Sequence, residues 1–123
     1  MKRLLNLSLA LSAILLISTS AVPHKRASGF YVQNGTAWNG TITGYGAIYT
    51  PSPVSFGTTG VYFIQSLSGA TYLTVTITSY ASGSHTYGLT GGVTAPTPVT
   101  TSTGSVTFTN VPVTSGDINA YIH

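Results

Sequence analysis

Few side chains in this sequence are able to transfer protons or bind a metal ion. After residue 26 the candidates are one carboxyl group, Asp117, and two imidazoles, His85 and His123. Paired-carboxylate hydrolysis requires a second acid, and a Ser–His–Asp triad would lack the Gly-X-Ser-X-Gly segment that presents the serine in many hydrolases. The spacing of the three residues matches no zinc site or facial triad. The sequence therefore predicts a protein that is not an enzyme and that needs no metal or cofactor.

The aromatic residues form a more informative set. The chain contains eight tyrosines and one tryptophan, and Trp38, Tyr45 and Tyr49 lie near Asn34 and Asn39 in the sequence. Sugar binding on a β-sheet commonly uses exposed aromatic faces beside amide and hydroxyl donors, so these three aromatic residues are candidates for a carbohydrate site. Aromatic rings also fill cores and leave their polar atoms at the edge of the core. We favour this second interpretation of the three residues.

Two identical tripeptides predict N-glycosylation. Residues 34–36 and 39–41 both read Asn-Gly-Thr, which is an Asn-X-Thr acceptor. Asn-Gly is also a favoured hairpin turn, and an exposed turn suits both interpretations. In a eukaryotic secretory pathway we expect at least one of Asn34 and Asn39 to carry a glycan.

Residues 1–21 have the pattern of a secretory signal peptide. Lys2 and Arg3 form a positive first region, an apolar stretch covers residues 4–17, and small residues follow at 18–21. The apolar stretch is shorter than the roughly 20 residues that a membrane-spanning helix needs. We therefore expect a secreted protein, located outside the cell or in the cell wall, with no membrane span in its mature form.

A short propeptide is predicted at residues 22–26. It ends in Lys25-Arg26, which resembles the dibasic site cut by the kexin-type processing proteases of the fungal secretory pathway. Cleavage at this site would make Ala27 the mature N-terminus and leave residues 27–123 as a single domain. The resemblance implies a fungal source.

The distribution of charge excludes two classes of partner. All four Lys and Arg residues lie in the first 26 positions, and Asp117 is the only acid, so residues 27–123 carry a formal charge of −1. A domain without a basic patch has no attraction for a nucleic-acid backbone or an anionic membrane. The same lack of charge leaves strand edges without the lysines that normally prevent edge-to-edge pairing, so self-association is available.

The clearest structural pattern lies in residues 71–80, where three apolar side chains alternate with threonines. The apolar positions are Leu73, Val75 and Ile77, and the threonines between and after them are Thr74, Thr76 and Thr78. Side chains in a strand point to opposite faces with period two. The pattern therefore predicts a central strand with one buried apolar face and one hydroxyl face.

The rest of the domain alternates short strand patterns with Gly, Pro and Asn turns. We expect breaks at residues 50–53, 91–92 and 110–116, and a loop or edge strand at 93–98. No stretch after residue 26 has a helical period. The spacing predicts an all-β fold, a single antiparallel sandwich of seven or eight short strands.

Residues 103–112 resemble the final hairpin of immunoglobulin-like and transthyretin-like β-sandwich modules. A glycine turn, an alternating Val/Thr/Phe strand and a short loop carry this resemblance. It implies an immunoglobulin-like sandwich and no particular activity, because those families share none.

These features together predict a small secreted, non-enzymatic interaction or structural protein of the cell wall, the extracellular matrix or a host interface. Its expected partner is a glycan or a cell-surface protein. The first alternative is a stand-alone carbohydrate-binding module that uses Trp38, Tyr45 and Tyr49. The second alternative is a subunit that assembles by β-strand addition.

Overall fold

The computed structural model describes residues 28–123. They form eight β-strands with no helix among them, which confirms the all-β prediction. The predicted signal peptide and propeptide, including Lys25 and Arg26, lie outside the described residues. The strands are β1 (Gly29–Asn34), β2 (Gly40–Gly46), β3 (Thr50–Phe56), β4 (Gly60–Ser66), β5 (Tyr72–Ser79), β6 (His85–Val93), β7 (Val99–Thr101) and β8 (Ser105–Ile122).

All eight strands belong to one hydrogen-bonded sheet that folds over a single core. The strand order is β3-β2-β5-β8-β1-β4, and β6 and β7 attach beside the second half of β8. β8 therefore belongs to two layers. We call β3, β2, β5 and the first half of β8 the back layer, and β4, β1, the second half of β8, β6 and β7 the front layer.

The long strand β8 is continuous through residues 110–116, where the sequence predicts a turn. Asn110 and Gly116 have left-handed backbone angles, with φ of 50° and 92°, and the pairing with β5 shifts register beside Asn110. Backbone hydrogen bonds to Thr71 on one side and Thr94 on the other hold the bend in place. Residues that are typical of turns here form bulges, which bend a strand without reversing it.

The course of β8 also corrects the prediction of a purely antiparallel sheet. Because β8 crosses from the back layer to the front layer without reversing, its second half runs parallel to β1. The parallel register extends from the pair Phe30 and Ile118 to the pair Asn34 and Ile122. The other strand pairs are antiparallel.

Strand β5 lies inside the back layer, between β2 and β8, and its two faces are as predicted. Leu73, Val75 and Ile77 are fully buried, whereas the threonines between them are half-buried. The buried face packs into one core cluster together with front-layer side chains such as Phe30 and Ile118. The period-two pattern was therefore sufficient to place this strand.

Two of the expected breaks are strands with irregular pairing. β3 contains Pro51 and Pro53, which it tolerates as the edge strand of the back layer, since an edge strand is paired on one side only. β6 continues through Gly91 and Gly92 with a shift of register. Gly91 takes a φ of 90°, and the carbonyl oxygen of Asp117 occupies the space that a side chain would need.

The edge strands of the two layers, β3 and β4, are linked at one end. The side chain of Gln65 in β4 accepts a hydrogen bond from the Tyr49 N–H at 2.7 Å and donates one to the Tyr49 carbonyl at 3.1 Å. Nearby, the Ser68 N–H donates to the Ala47 carbonyl at 2.9 Å. These bonds nearly close the sheet and fix the loop between β2 and β3 against the front layer.

Candidate functional site

The three titratable residues that the sequence singles out do not converge. Asp117 lies at the start of the front-layer part of β8 and accepts a hydrogen bond from the Gly29 N–H at 2.8 Å. His123 follows the other end of β8, and its backbone pairs with Thr86, next to His85. Six residues of extended strand separate the two ends, which is about 20 Å. Within residues 28–123, no three His, Asp or Glu side chains are grouped so that they could hold a metal ion.

Asn34 is a buried hydrogen-bonding centre. Its side chain accepts from the Thr36 N–H at 3.0 Å and from the Thr36 hydroxyl at 2.7 Å, and its Nδ2 donates to the carbonyls of Trp38 at 2.7 Å and Gly57 at 2.9 Å. Only 3% of Asn34 is exposed. An asparagine side chain offers two donor hydrogens and an oxygen with two lone pairs, so this one is fully used.

The second acceptor asparagine is in a different environment. Asn39 is exposed, and its backbone carbonyl accepts from the Tyr80 N–H at 3.0 Å. Glycosylation at Asn34 or Asn39 stays a prediction. The geometry distinguishes the two, because a glycan on Nδ2 would replace one of the two hydrogens that Asn34 donates, whereas the Asn39 side chain faces solvent.

The structure separates the three aromatic residues that the sequence groups. Tyr45 and Tyr49 pack edge to face, with ring centroids 6.1 Å apart. Trp38 lies before the opposite end of β2, where its ring centroid is 6.5 Å from that of His85. All three aromatic residues are exposed, as is Tyr72, whose ring lies over Gly46 beside the tyrosine pair. They therefore form two groups at the two ends of β2.

The outer face of the back layer is mainly a ladder of hydroxyl groups. It comprises Thr41, Thr43, Thr74, Thr76, Thr78, Ser105 and Thr107. The hydroxyls of Thr76 and Thr107 are 2.8 Å apart, and those of Thr78 and Ser105 are 3.4 Å apart. Much of this ladder is therefore occupied by its own cross-strand hydrogen bonds.

The outer face of the front layer carries a group of residues from two strands that are far apart in the sequence. In β1 and β8 the parallel register places Tyr31 beside Asn119 and Gln33 beside Tyr121. Rings and amides therefore alternate both along and across the two strands. We call these four residues the ring–amide square. In the sequence, the four residues alternate with residues that are buried on the same two strands. This alternation is the feature that could have identified them as an outer face.

Neighbouring strands extend this surface on both sides. β4 contributes Val61 beside Gln33 and Phe63 beside Tyr31, and both β4 side chains are more than half exposed, at 64% and 59%. The rings of Phe63 and Tyr31 pack edge to face at 5.5 Å. On the other side, β6 places Gly88 beside Tyr121.

The position of the Tyr121 ring depends on Gly88. A side-chain carbon added at Gly88 would lie 2.2 Å from atoms of the Tyr121 ring and hydroxyl, so the ring leans over β6 at this glycine. The ring of His123 is nearly parallel to it, with centroids 5.3 Å apart and an angle of 8° between planes. A cleft of about 350 Å³ borders this surface, and its lining includes Gln33, Val61 and Tyr121.

A second cleft, of about 370 Å³, lies at the opposite end of the front layer. Its lining comprises residues 67–71 and 113–116 together with Ser28. These residues are small, aliphatic or hydroxylated, and the lining includes no aromatic ring. This cleft therefore offers less for specific recognition than the surface around Tyr121.

Tyr87 is a titratable group whose pKa is changed by its surroundings. Burial raises the pKa of the Tyr87 phenol above its usual value of 10.0, and the neighbouring Ser79 side chain partly opposes this rise. The residue points into the core from β6 and is 1% exposed. Its position indicates a structural role rather than a catalytic one.

The strand edges differ in how well they resist pairing with another chain. β3 contains two prolines and β7 has three residues, whereas β4 has seven residues without charge or proline. An uncharged, apolar edge strand is the usual place for strand addition. Self-association of this chain stays a prediction, and β4 is where we expect it.

Comparisons with known proteins give no relative. No protein-family model, curated protein or solved structure matches this chain. Among residues 28–123 there is also no helix with the length and apolar character that a membrane crossing by a helix requires. The functional argument therefore depends on the surfaces described above.

Proposed function

We propose that this protein is a small secreted, non-enzymatic interaction or structural protein of the cell wall, the extracellular matrix or a host interface. The observation that carries the proposal is the chemistry of its two outer faces. The back layer presents hydroxyls, and the front layer presents rings and amides. Asp117 is the only charged side chain in residues 28–123. Surfaces of this kind suit uncharged partners such as neutral glycans.

Two further observations support this proposal. The positive, apolar and small-residue segments of residues 1–21 are typical of secretion. Asp117 is held by the Gly29 N–H, at the far end of the front layer from His85 and His123. General acid–base catalysis needs such groups within hydrogen-bonding reach of one substrate.

We further propose that the fold is an immunoglobulin-like β-sandwich. The support is the single core between the back and front layers, to which both halves of β8 contribute buried side chains. The bend at Asn110 lets β8 serve both layers. The bonds between Gln65 and Tyr49 hold the edges of the two layers close together at one end.

A stand-alone carbohydrate-binding module is the second candidate function. The observation in its favour is the number of solvent-exposed rings, which include Tyr45, Tyr49 and Tyr72 at one end of the back layer. Burial of an aromatic ring is favourable, so several exposed rings close together are typical of a recognition surface. Under this candidate, sugar binding is the main activity of the protein.

Expression of the full chain in a filamentous fungus tests the proposal. Mass spectrometry of the medium, the cell wall and the cytosol should find the protein in the medium or the wall, beginning at Ala27. Incubation with wall polysaccharides should release no soluble sugar, and Asp117→Ala should change nothing in that assay. Retention in the cytosol, or turnover that disappears in Asp117→Ala, would contradict the proposed function.

A further inference from the structure

We infer that the ring–amide square on the front layer is a binding site for a neutral oligosaccharide. Tyr121 supplies the ring on which a sugar stacks, and the amides of Gln33 and Asn119 bind its hydroxyl groups. This inference rests on the proposed function and gives it a surface and a ligand class. It places the site on the opposite layer from Tyr45 and Tyr49.

The two amides of the ring–amide square are available for binding. Asn34 and Gln65 use their side-chain amides in bonds to backbone groups. Among the side-chain hydrogen bonds within residues 28–123, none involves Gln33 or Asn119. Each amide offers donors and an acceptor to solvent, as sugar hydroxyls require.

The spacing between the four residues of the square suits a sugar. Gln33 and Tyr121 are partners across the β1–β8 pair, as are Tyr31 and Asn119. Neighbouring strands are about 4.8 Å apart, and residues two apart on one strand are separated by about 6.7 Å. A pyranose ring is of comparable width. Because the Tyr121 ring leans over β6 and His123 stacks on one side of it, a sugar on its other face lies beside Asn119, and the next unit of the oligosaccharide lies within reach of Gln33.

The composition of the square favours a sugar over a protein as the partner. The square alternates rings with amides and contains no charged side chain. A protein partner usually requires a continuous apolar centre and a total buried area above about 1,000 Å². Here the exposed apolar side chains, Val61 and Phe63, lie on β4 at the border of the square and not at its centre. A sugar has an apolar face and a hydroxyl edge in one small unit, which matches alternating rings and amides. The neighbouring cleft of about 350 Å³ provides a concave border at the end of the square where Gln33 and Tyr121 lie.

Titration with defined sugars tests the inference. The probes are hexasaccharides of β-1,3-glucan, chitin and mannan, added to the mature full-length protein and followed by calorimetry. At least one should bind. Tyr121→Ala should weaken that binding about tenfold and Gln33→Leu about threefold to tenfold, as expected for one stacked ring and one or two hydrogen bonds. Tyr80→Ala, which removes an exposed ring after the end of β5, is the matched control and should change affinity less than about twofold.

Further variants distinguish a loss of binding from a loss of folding. Tyr121→Ala uncovers Gly88 and is checked by circular dichroism, whereas Gln33→Leu alters an exposed side chain and leaves the core intact. Tyr121→Phe keeps the ring over β6 and should bind within about threefold of the wild type, since only one hydroxyl is lost.

Several outcomes would overturn the inference. They are failure of all three sugars to bind, loss of binding in Tyr45→Ala but not in Tyr121→Ala or Gln33→Leu, and retention on cell walls that is removed by protease but not by glycan hydrolases. The last outcome identifies a protein partner. In all three cases the proposed function stands if the protein is still found in the medium or wall, whereas cytosolic retention would remove the proposed function itself.

Discussion

Replacing Asn34 tests how the loop between β1 and β2 is held. Asn34→Ala removes four hydrogen bonds, two to Thr36 and one each to the carbonyls of Trp38 and Gly57. Each bond contributes about 0.5–1.5 kcal/mol, and the Trp38 and Gly57 carbonyls can partly recover bonds to water, so the expected loss is about 2–4 kcal/mol. Urea denaturation measures this as a lower midpoint at an unchanged slope.

Two further variants make this prediction specific. Asn39→Ala removes an exposed side chain from the same loop and should change the free energy of unfolding by less than about 0.5 kcal/mol. Asn34→Asp keeps the shape and the bonds from Thr36, but it cannot donate to the two carbonyls, so most of the loss should remain. If Asn34→Ala were as stable as Asn39→Ala, the hydrogen-bonding centre would not stabilise the fold and the reasoning would be refuted.

Three other predictions concern the core, the glycans and pH. Val75→Ala should lower the free energy of unfolding by about 1–3 kcal/mol, whereas Thr76→Ala on the outer face should cost less than about 1 kcal/mol; an equal loss would mean that the faces are reversed. Peptide mass spectrometry after deglycosylation in heavy-oxygen water should find a glycan at Asn39 and none at the buried acceptor, and the opposite pattern would exclude this fold for the secreted protein. Because burial raises the pKa of Tyr87, the unfolded chain ionises first as the pH rises through about 10, so stability should fall from there until the pH passes the raised pKa of the folded protein. Tyr87→Phe should show a smaller fall, and an equal fall would assign the pH dependence to another group.

Local alternation was enough to predict the strands whose two faces differ strongly. In β5 the buried and half-buried positions follow the apolar and threonine positions of the sequence. In such a strand a shift of one residue would expose the whole apolar face, so the pattern fixes the orientation. The all-β class follows from the same reasoning repeated along the chain.

The course of β8 was not predictable from local sequence. Asn110 and Gly116 favour left-handed backbone angles, which occur both in turns and in bulges. Only the partners on both sides, near Thr71 and Thr94, decide that the strand bends and continues. Those partners are distant in sequence, so the parallel pairing with β1 could not be inferred.

The candidate site shows the same limit. Gln33 and Tyr121 are nearly ninety positions apart in the chain and are neighbours only because β1 and β8 pair in parallel. Trp38 was grouped with Tyr45 and Tyr49 because the three are close in sequence. Residues at the two ends of an extended strand are nevertheless more than about 15 Å apart. Nearness in sequence was therefore a poor guide to which rings share a surface.

The most direct test of the account is binding of the mature protein to isolated fungal cell walls as a function of ionic strength. Residues 27–123 carry one charged side chain, so contacts through hydroxyls, amides and rings should be nearly independent of screening. The bound fraction after sedimentation should be the same within about twofold at about 50 mM and about 1 M NaCl. A bound fraction that collapses at high salt would contradict recognition by uncharged surfaces.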